Sequence, residues 1–133
     1  MTRIGAALAG LILAAAAPAA AETPDLDSLQ WVARPLVVFA DTPNDPKFVQ
    51  QMEILDAEPQ PLEDRLVVVL TDTDPAAEGP LRQRLRPRGF GIVLIDTDGR
   101  VAHRRPLPVT VRELSHMIDR MPSRREETGS HRP

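Results

Sequence analysis

The stretch "DTPNDP", residues 41–46, places Asp41, Thr42, Asn44 and Asp45 directly after the apolar run "PLVVFA". Carboxylates and a hydroxyl at the carboxyl end of a strand can hold a cation or a polar ligand, because ligands of open α/β sheets bind there. Asp45, or Asn44, has a structural task as the cap of the following helix. Pro46 then falls in its first turn, where a missing N–H costs nothing. Asp41 and Thr42 have no such task and are either ligand-binding or solvated turn residues. Asp72 and Asp74 follow a second apolar run and could join Asp41 at one edge of a sheet as a weak metal site.

A second constellation lies near the end of the chain. Asp119 sits in the last turns of a helix, Pro122 stops that helix, and Arg124 and Arg125 follow. A carboxylate beside two guanidinium groups either forms a bidentate pair fixing the chain's exit from the domain or makes an anion or partner site. Arg124 is the first candidate here for a functional residue, and Asp119, Arg124 and Arg125 together are the candidate partner-binding set. Asp41, Thr42 and Asp45 are the candidate loop site.

Other chemistry is weaker. "DTDG", residues 96–99, resembles a fragment of a calcium loop, but the twelfth position counted from Asp96 is Leu107 rather than Glu, and a hairpin turn accounts for it. His103 and His116 have no zinc spacing. His116 and Asp119 share a helix face, yet Ser115 is adjacent to His116 rather than facing it, so no triad forms. Arg82, Arg84, Arg86 and Arg88 alternate with Leu and Gln, either as a solvated surface or as a face for an acidic partner or lipid phosphate. No residue pattern calls for a cofactor or a metal.

The chain has no cysteine, which removes thiol chemistry, disulfide staples and thiolate zinc sites together. Arg3, the apolar run "IGAALAGLILAAAA" and the small residues Ala19-Ala20-Ala21 have the layout of a secretory signal peptide cleaved after Ala21. The flanking pattern looks bacterial, so the expected location is the periplasm, with no membrane span after cleavage. The 112 residues that remain are enough for one modest core. Residues 22–80 hold 13 acids and three bases, and residues 81–133 hold 12 bases and six acids. Such a split makes either two mutually neutralising halves or a basic face for an anionic partner. Four Phe and Trp residues are too few for nucleic-acid stacking.

The elements that must position these residues follow from the apolar patterning. "QWVARPLVVFA" holds a short amphipathic stretch around Trp31 and then a strand covered on both faces. Phe48, Met52 and Leu55 mark one face of a helix that Pro59 and Pro61 end. "RLVVVLTDTD" is a second strand, and Leu81 and Leu85 permit a short helix between Pro80 and Pro87. "FGIVLIDTDGRVAHRRPL" is an antiparallel hairpin turning at Thr97-Asp98-Gly99. Thr110 and Glu113 form a capping box before a helix whose apolar face is Leu114, Met117, Ile118 and Met121. Residues 128–133 read as a disordered tail.

The resulting order, β-α-β-α-β-β-α, is a single-domain α/β sandwich with the element order of the thioredoxin fold. "IVLIDTDGRV" resembles the strand-turn-strand segment of thioredoxin-like and peroxiredoxin-like proteins, and "WVARPLVVFADTPNDPKF" resembles their first strand and active loop. The family's Cys-x-x-Cys position falls within "DTPNDP", without a thiol, and its cis-proline position falls at about Phe90. More closely, the chain resembles the family called domain of unknown function 4174 over about residues 27–127. The carriers are "LDSLQWVARPLVVFA", "FGIVLIDTDGRV" and "ELSHMIDRMPSRREE", the last holding Ile118, Asp119, Met121, Pro122, Arg124 and Glu127. The resemblance implies a thioredoxin-like domain, residues 22–127, without redox cysteines, acting as an extracytoplasmic module for binding. Its expected partner is an unidentified protein or envelope component, and no nucleic acid. The alternative is a non-thiol, metal-dependent enzyme built on Asp41, Asp45 and Asp72.

Overall fold

A computed structural model describes residues 25–129. The expected signal peptide, residues 1–21, and the last residues of the expected tail lie outside the described residues. Four strands, β1 (Arg34–Phe39), β2 (Val67–Asp72), β3 (Gly91–Ile95) and β4 (Val101–Arg105), form one sheet in the order β2-β1-β3-β4. β1 and β2 run parallel, and β3 is antiparallel to both β1 and β4. The first βα connection makes the expected parallel pair, and β3–β4 the expected hairpin. The connection through the second helical stretch, however, brings β3 in antiparallel to β1 rather than as a further parallel neighbour.

Alternation along the strands builds two cores. Leu36, Val38, Ile92 and Leu94 point to one face, where α2 (Pro46–Ala57), α3 (Pro59–Asp64) and α5 (Val111–Asp119) supply Leu55, Leu62, Leu114 and Ile118. Val37, Phe39, Val93 and Ile95 point to the other, covered by Leu26 of α1 (Leu26–Leu29) and by Leu81 and Leu85 of α4 (Pro80–Leu85). β1 is central and covered on both sides, so all six of its residues are buried. That explains its unbroken apolar run.

Three prolines act differently from the expectation. Pro59 does not merely end the second helix: α2 stops at Ala57 and Pro59 opens α3. Pro122 likewise opens α6 (Pro122–Gly129), which carries Arg124 and Arg125. Pro61, expected to help end α2, lies inside α3. A proline in the first turn of a helix loses no intrahelical hydrogen bond, so the same residue type that stops one helix starts the next. The short stretch around Trp31, expected to be amphipathic, is a turn in which Trp31 is exposed.

Candidate functional site

At the carboxyl ends of β1 and β2 the acidic loop serves structure. Asp45 caps α2 as expected, its Oδ1 accepting the Lys47 N–H at 2.9 Å. Thr42 Oγ1 accepts the Asn44 N–H at 3.3 Å within the turn. Asp41 is exposed and has no polar partner among the described residues. Asp72 does not join it. Its Oδ1 accepts from Arg82 Nε at 2.8 Å, and Arg82 Nη2 donates to the carbonyls of Ala40 and Asp72 at 2.7 and 3.1 Å. The Arg82 guanidinium also lies 5.4 Å from the centre of the Phe39 ring. Arg82, expected on a solvated or docking surface, instead ties the ends of two strands together. Among the described residues no three His, Asp or Glu side chains are grouped to hold a metal.

The polar centre of the molecule is at the other end of the sheet. Arg34 opens β1, and its side chain is fully buried. Its Nε donates to Asp96 Oδ1 at 3.3 Å, and Nη1 donates to the Arg65 carbonyl at 2.8 Å and to Glu127 Oε2 at 3.3 Å. Nη2 donates to Ser123 Oγ at 2.9 Å and to Glu127 Oε1 at 2.8 Å. Five contacts thus meet the five N–H groups of a guanidinium. Ser123 Oγ in turn donates to Asp96 Oδ1 at 2.7 Å. Arg34 therefore joins the start of β1, the turn after β3 and the last helix.

Asp119 and Arg124 stand beside this centre, and Arg125 does not take part. The bidentate pair expected of Asp119 forms, but with Arg65, whose Nε and Nη2 donate to the two carboxylate oxygens at 2.9 and 3.0 Å. Arg124 Nη1 donates to Glu127 Oε2 at 3.1 Å, and its Nε, 3.9 Å from Asp119, has no hydrogen-bond partner although it is buried. Arg125 is exposed on α6. The Arg65 hydrogen bond outweighs burial and holds the Asp119 carboxyl below the ordinary carboxylate range, with the charges of Arg65, Arg124 and His116 adding to it. Reciprocally, Asp119 raises Arg65. Burial pushes Glu127 up, but the hydrogen bonds and charges of Arg34 and Arg124 more than offset this and leave it below its ordinary value.

Arg34, Arg65 and Ser123 were not singled out by sequence, and Asp96 was read only as part of a hairpin turn. One signal was present: a guanidinium directly before an apolar run that is buried on both faces must have partners in the interior. Those partners lie 62 and 93 residues away, where spacing carries no information.

The sheet order, the two covering layers and the loop after β1 define a thioredoxin-like domain whose reactive positions carry no thiol. Among solved structures the chain is similar to a 2-Cys peroxiredoxin from Plasmodium vivax, at 14% identity and a TM-score of 0.59, over 72% of this chain and 81% of that one. It is also similar to the mitochondrial 2-Cys peroxiredoxin of Plasmodium falciparum, at 17% identity and a TM-score of 0.54, over 82% and 86% of the two chains. These likenesses concern the fold. Comparison with curated proteins gives no match. Residues 25–127 match the Domain of unknown function (DUF4174), and the chain belongs to that family. The Arg34 centre draws on both ends of the matched region, and the family-like ending at Glu127 supplies the buried partner of Arg34.

Proposed function

We propose that this protein is an exported, non-redox thioredoxin-like module that binds a protein partner through the end of the sheet built on Arg34. The observation that carries this reading is Trp31. It is 73% exposed and held in the left-handed backbone region at φ +68°, with its N–H bound to the Thr97 carbonyl at 2.6 Å. A bulky residue in that conformation costs about 1–2 kcal/mol, and an exposed indole recovers little of it. Val32 and Leu66 are also exposed, and Leu66 shares the strained conformation at φ +61°. The Leu66 carbonyl accepts the Arg34 N–H at 2.7 Å, which sets Leu66 at the same end of the sheet. Strain and apolar exposure coinciding at one surface are features that binding uses and folding does not need. The leader-like segment at residues 1–21 supports export, and the lack of cysteine restricts the module to non-thiol roles.

The test compares wild type with Trp31→Gly in crosslinking from the compartment where the protein accumulates, after confirming that both forms melt alike. Glycine tolerates the left-handed conformation, so folding is retained. The expected result is one partner captured by wild type and lost in Trp31→Gly, from a protein whose amino terminus begins at Glu22. Equal capture by both forms would sink the Trp31 surface, and an intact Met1 terminus would sink export.

A further inference from the structure

Thirteen arginines fall within residues 25–129, and they divide sharply. Arg34, Arg65, Arg82, Arg84, Arg100 and Arg124 lie within 4.0 Å of a carboxylate. The others, Arg86, Arg88, Arg104, Arg105, Arg112, Arg120 and Arg125, have no ion pair among the described residues. Three of these, Arg105, Arg112 and Arg120, line one groove of about 290 Å³ between edge strand β4 and helix α5, with Thr110, Glu113, His116 and Met117.

The convergence follows from register. His103 pairs with Leu94 and Arg105 with Ile92, and both apolar partners belong to the core face that α5 covers. Strand periodicity therefore sends His103 and Arg105 to the α5 side. On α5 and at its C-cap, Arg112, His116 and Arg120 recur every four residues, a row about 12 Å long at the helical rise. The closeness of the two rows shows in His103. Burial first, and then the charges of Arg105 and Arg120, hold its imidazole below the ordinary histidine range. Arg105 donates to the Arg104 carbonyl at 3.2 Å, and Arg112 and Arg120 make no side-chain hydrogen bond among the described residues.

We infer that the groove between β4 and α5 is a binding site for a small soluble anion bearing more than one phosphate group, held by Arg105, Arg112 and Arg120. Three guanidinium groups are fixed positive charges with planar donor forks that match phosphate oxygens two at a time. Glu113 is the single acid in the lining, so the groove keeps an excess of about two positive charges with both imidazoles neutral. A monocarboxylate would leave that excess largely unmatched, and a single phosphate, although close in charge, offers few oxygens. Two linked phosphates more than match the charge and present enough oxygens to engage all three guanidinium forks. His103 and His116 are placed at the margin of the same anion. The site uses none of the residues of the Trp31 surface, so it stands or falls separately from the partner-binding reading.

The test is calorimetric titration of the protein with inorganic pyrophosphate and with orthophosphate, at fixed ionic strength because such binding is salt-dependent. Vesicles of phosphatidylcholine with phosphatidylglycerol form a separate arm. Pyrophosphate is expected to bind saturably at one site, more tightly than orthophosphate, and to move the His103 and His116 imidazole signals. Arg112→Gln with Arg120→Gln should weaken binding by at least about tenfold, the scale of losing charge-assisted hydrogen bonds. Arg86→Gln with Arg88→Gln removes equal charge elsewhere and should leave it nearly unchanged. Equal weakening by both pairs would mean diffuse attraction and overturn the site. So would the absence of saturation, unmoved imidazole signals in the wild-type protein, or binding to vesicles without binding to pyrophosphate.

Discussion

The Arg34 guanidinium lies at a position from which water is excluded, and the geometry around it shows what such burial requires. Burying a charge costs several kcal/mol in practice, and attraction repays this only when every donor is met. Here two carboxylates, a hydroxyl and a carbonyl meet all of them. The arrangement predicts a large penalty for removing the cation alone. Arg34→Met fits the volume but leaves Asp96 and Glu127 facing each other across an apolar gap. The expected loss is near the lower end of about 3–5 kcal/mol, because those side chains remain 17% and 28% exposed. Urea unfolding measures it. A loss below about 1 kcal/mol, the scale of a surface pair, would mean the centre is not a stabilising one. Arg124 is placed differently: it is bound to Glu127 through Nη1, while its buried Nε is unpartnered.

At the scale of elements, a single side chain joins α2 to the segment that leads into α5. Gln51 is fully buried and exchanges two hydrogen bonds with the Val109 backbone, donating to the carbonyl at 3.0 Å and accepting the N–H at 2.8 Å. Gln51→Leu would keep the packing but orphan both backbone groups, at about 1–3 kcal/mol for each. The expected readout is a lowered melting temperature together with fast hydrogen exchange at the Val109 amide. An amide that stays protected would show that another group takes over.

Much at this scale was legible from local chemistry. The four strands, the Asp45 and Thr110 caps, and the apolar face of α5 all follow from spacings of two to four residues. What was not legible has a common physical cause. Pro59 and Pro122 read the same whether they end a helix or begin one. Asp96 reads as a hairpin-turn residue, Arg82 as a solvated or docking-surface residue and Asp72 as a weak metal ligand, because the partners that decide their roles are distant in sequence. Asp119 was identified as a paired carboxylate, but Arg65, the cation that pairs with it, lies 54 residues away.

At the scale of the whole molecule, the acidic first half and the basic second half partly neutralise each other through Asp27–Arg84 and Asp72–Arg82, whereas Arg34–Glu127 joins a base of the first half to an acid of the second. The cations left over collect around β4 and α5. Stability should therefore fall in two steps on acidification. His103 has a folded pKa below its unfolded one, so the unfolded chain binds the proton more readily. The first loss comes as pH drops below the ordinary histidine range. Asp119 and Glu127 are also depressed. Their contribution is present above their ordinary values and is lost as pH falls through their lower folded values. His103→Gln should abolish the upper step, and Asp119→Asn should flatten the lower one. Melting temperature followed from neutral pH to strong acid tests both, and a single step unaffected by either substitution would contradict the assignment.

The separation of 93 positions from Arg34 to Glu127 also bears on when the protein can finish folding. Until the final helix has been synthesised, the guanidinium at the head of the central strand lacks a carboxylate, a hydroxyl and much of its cover. A nascent chain can form its local helices and the hairpin, but burying that strand early would leave the guanidinium with Asp96 as its one carboxylate and two or more donors unmet. Closure of the sheet is thereby deferred until the helix that carries Glu127 has been made.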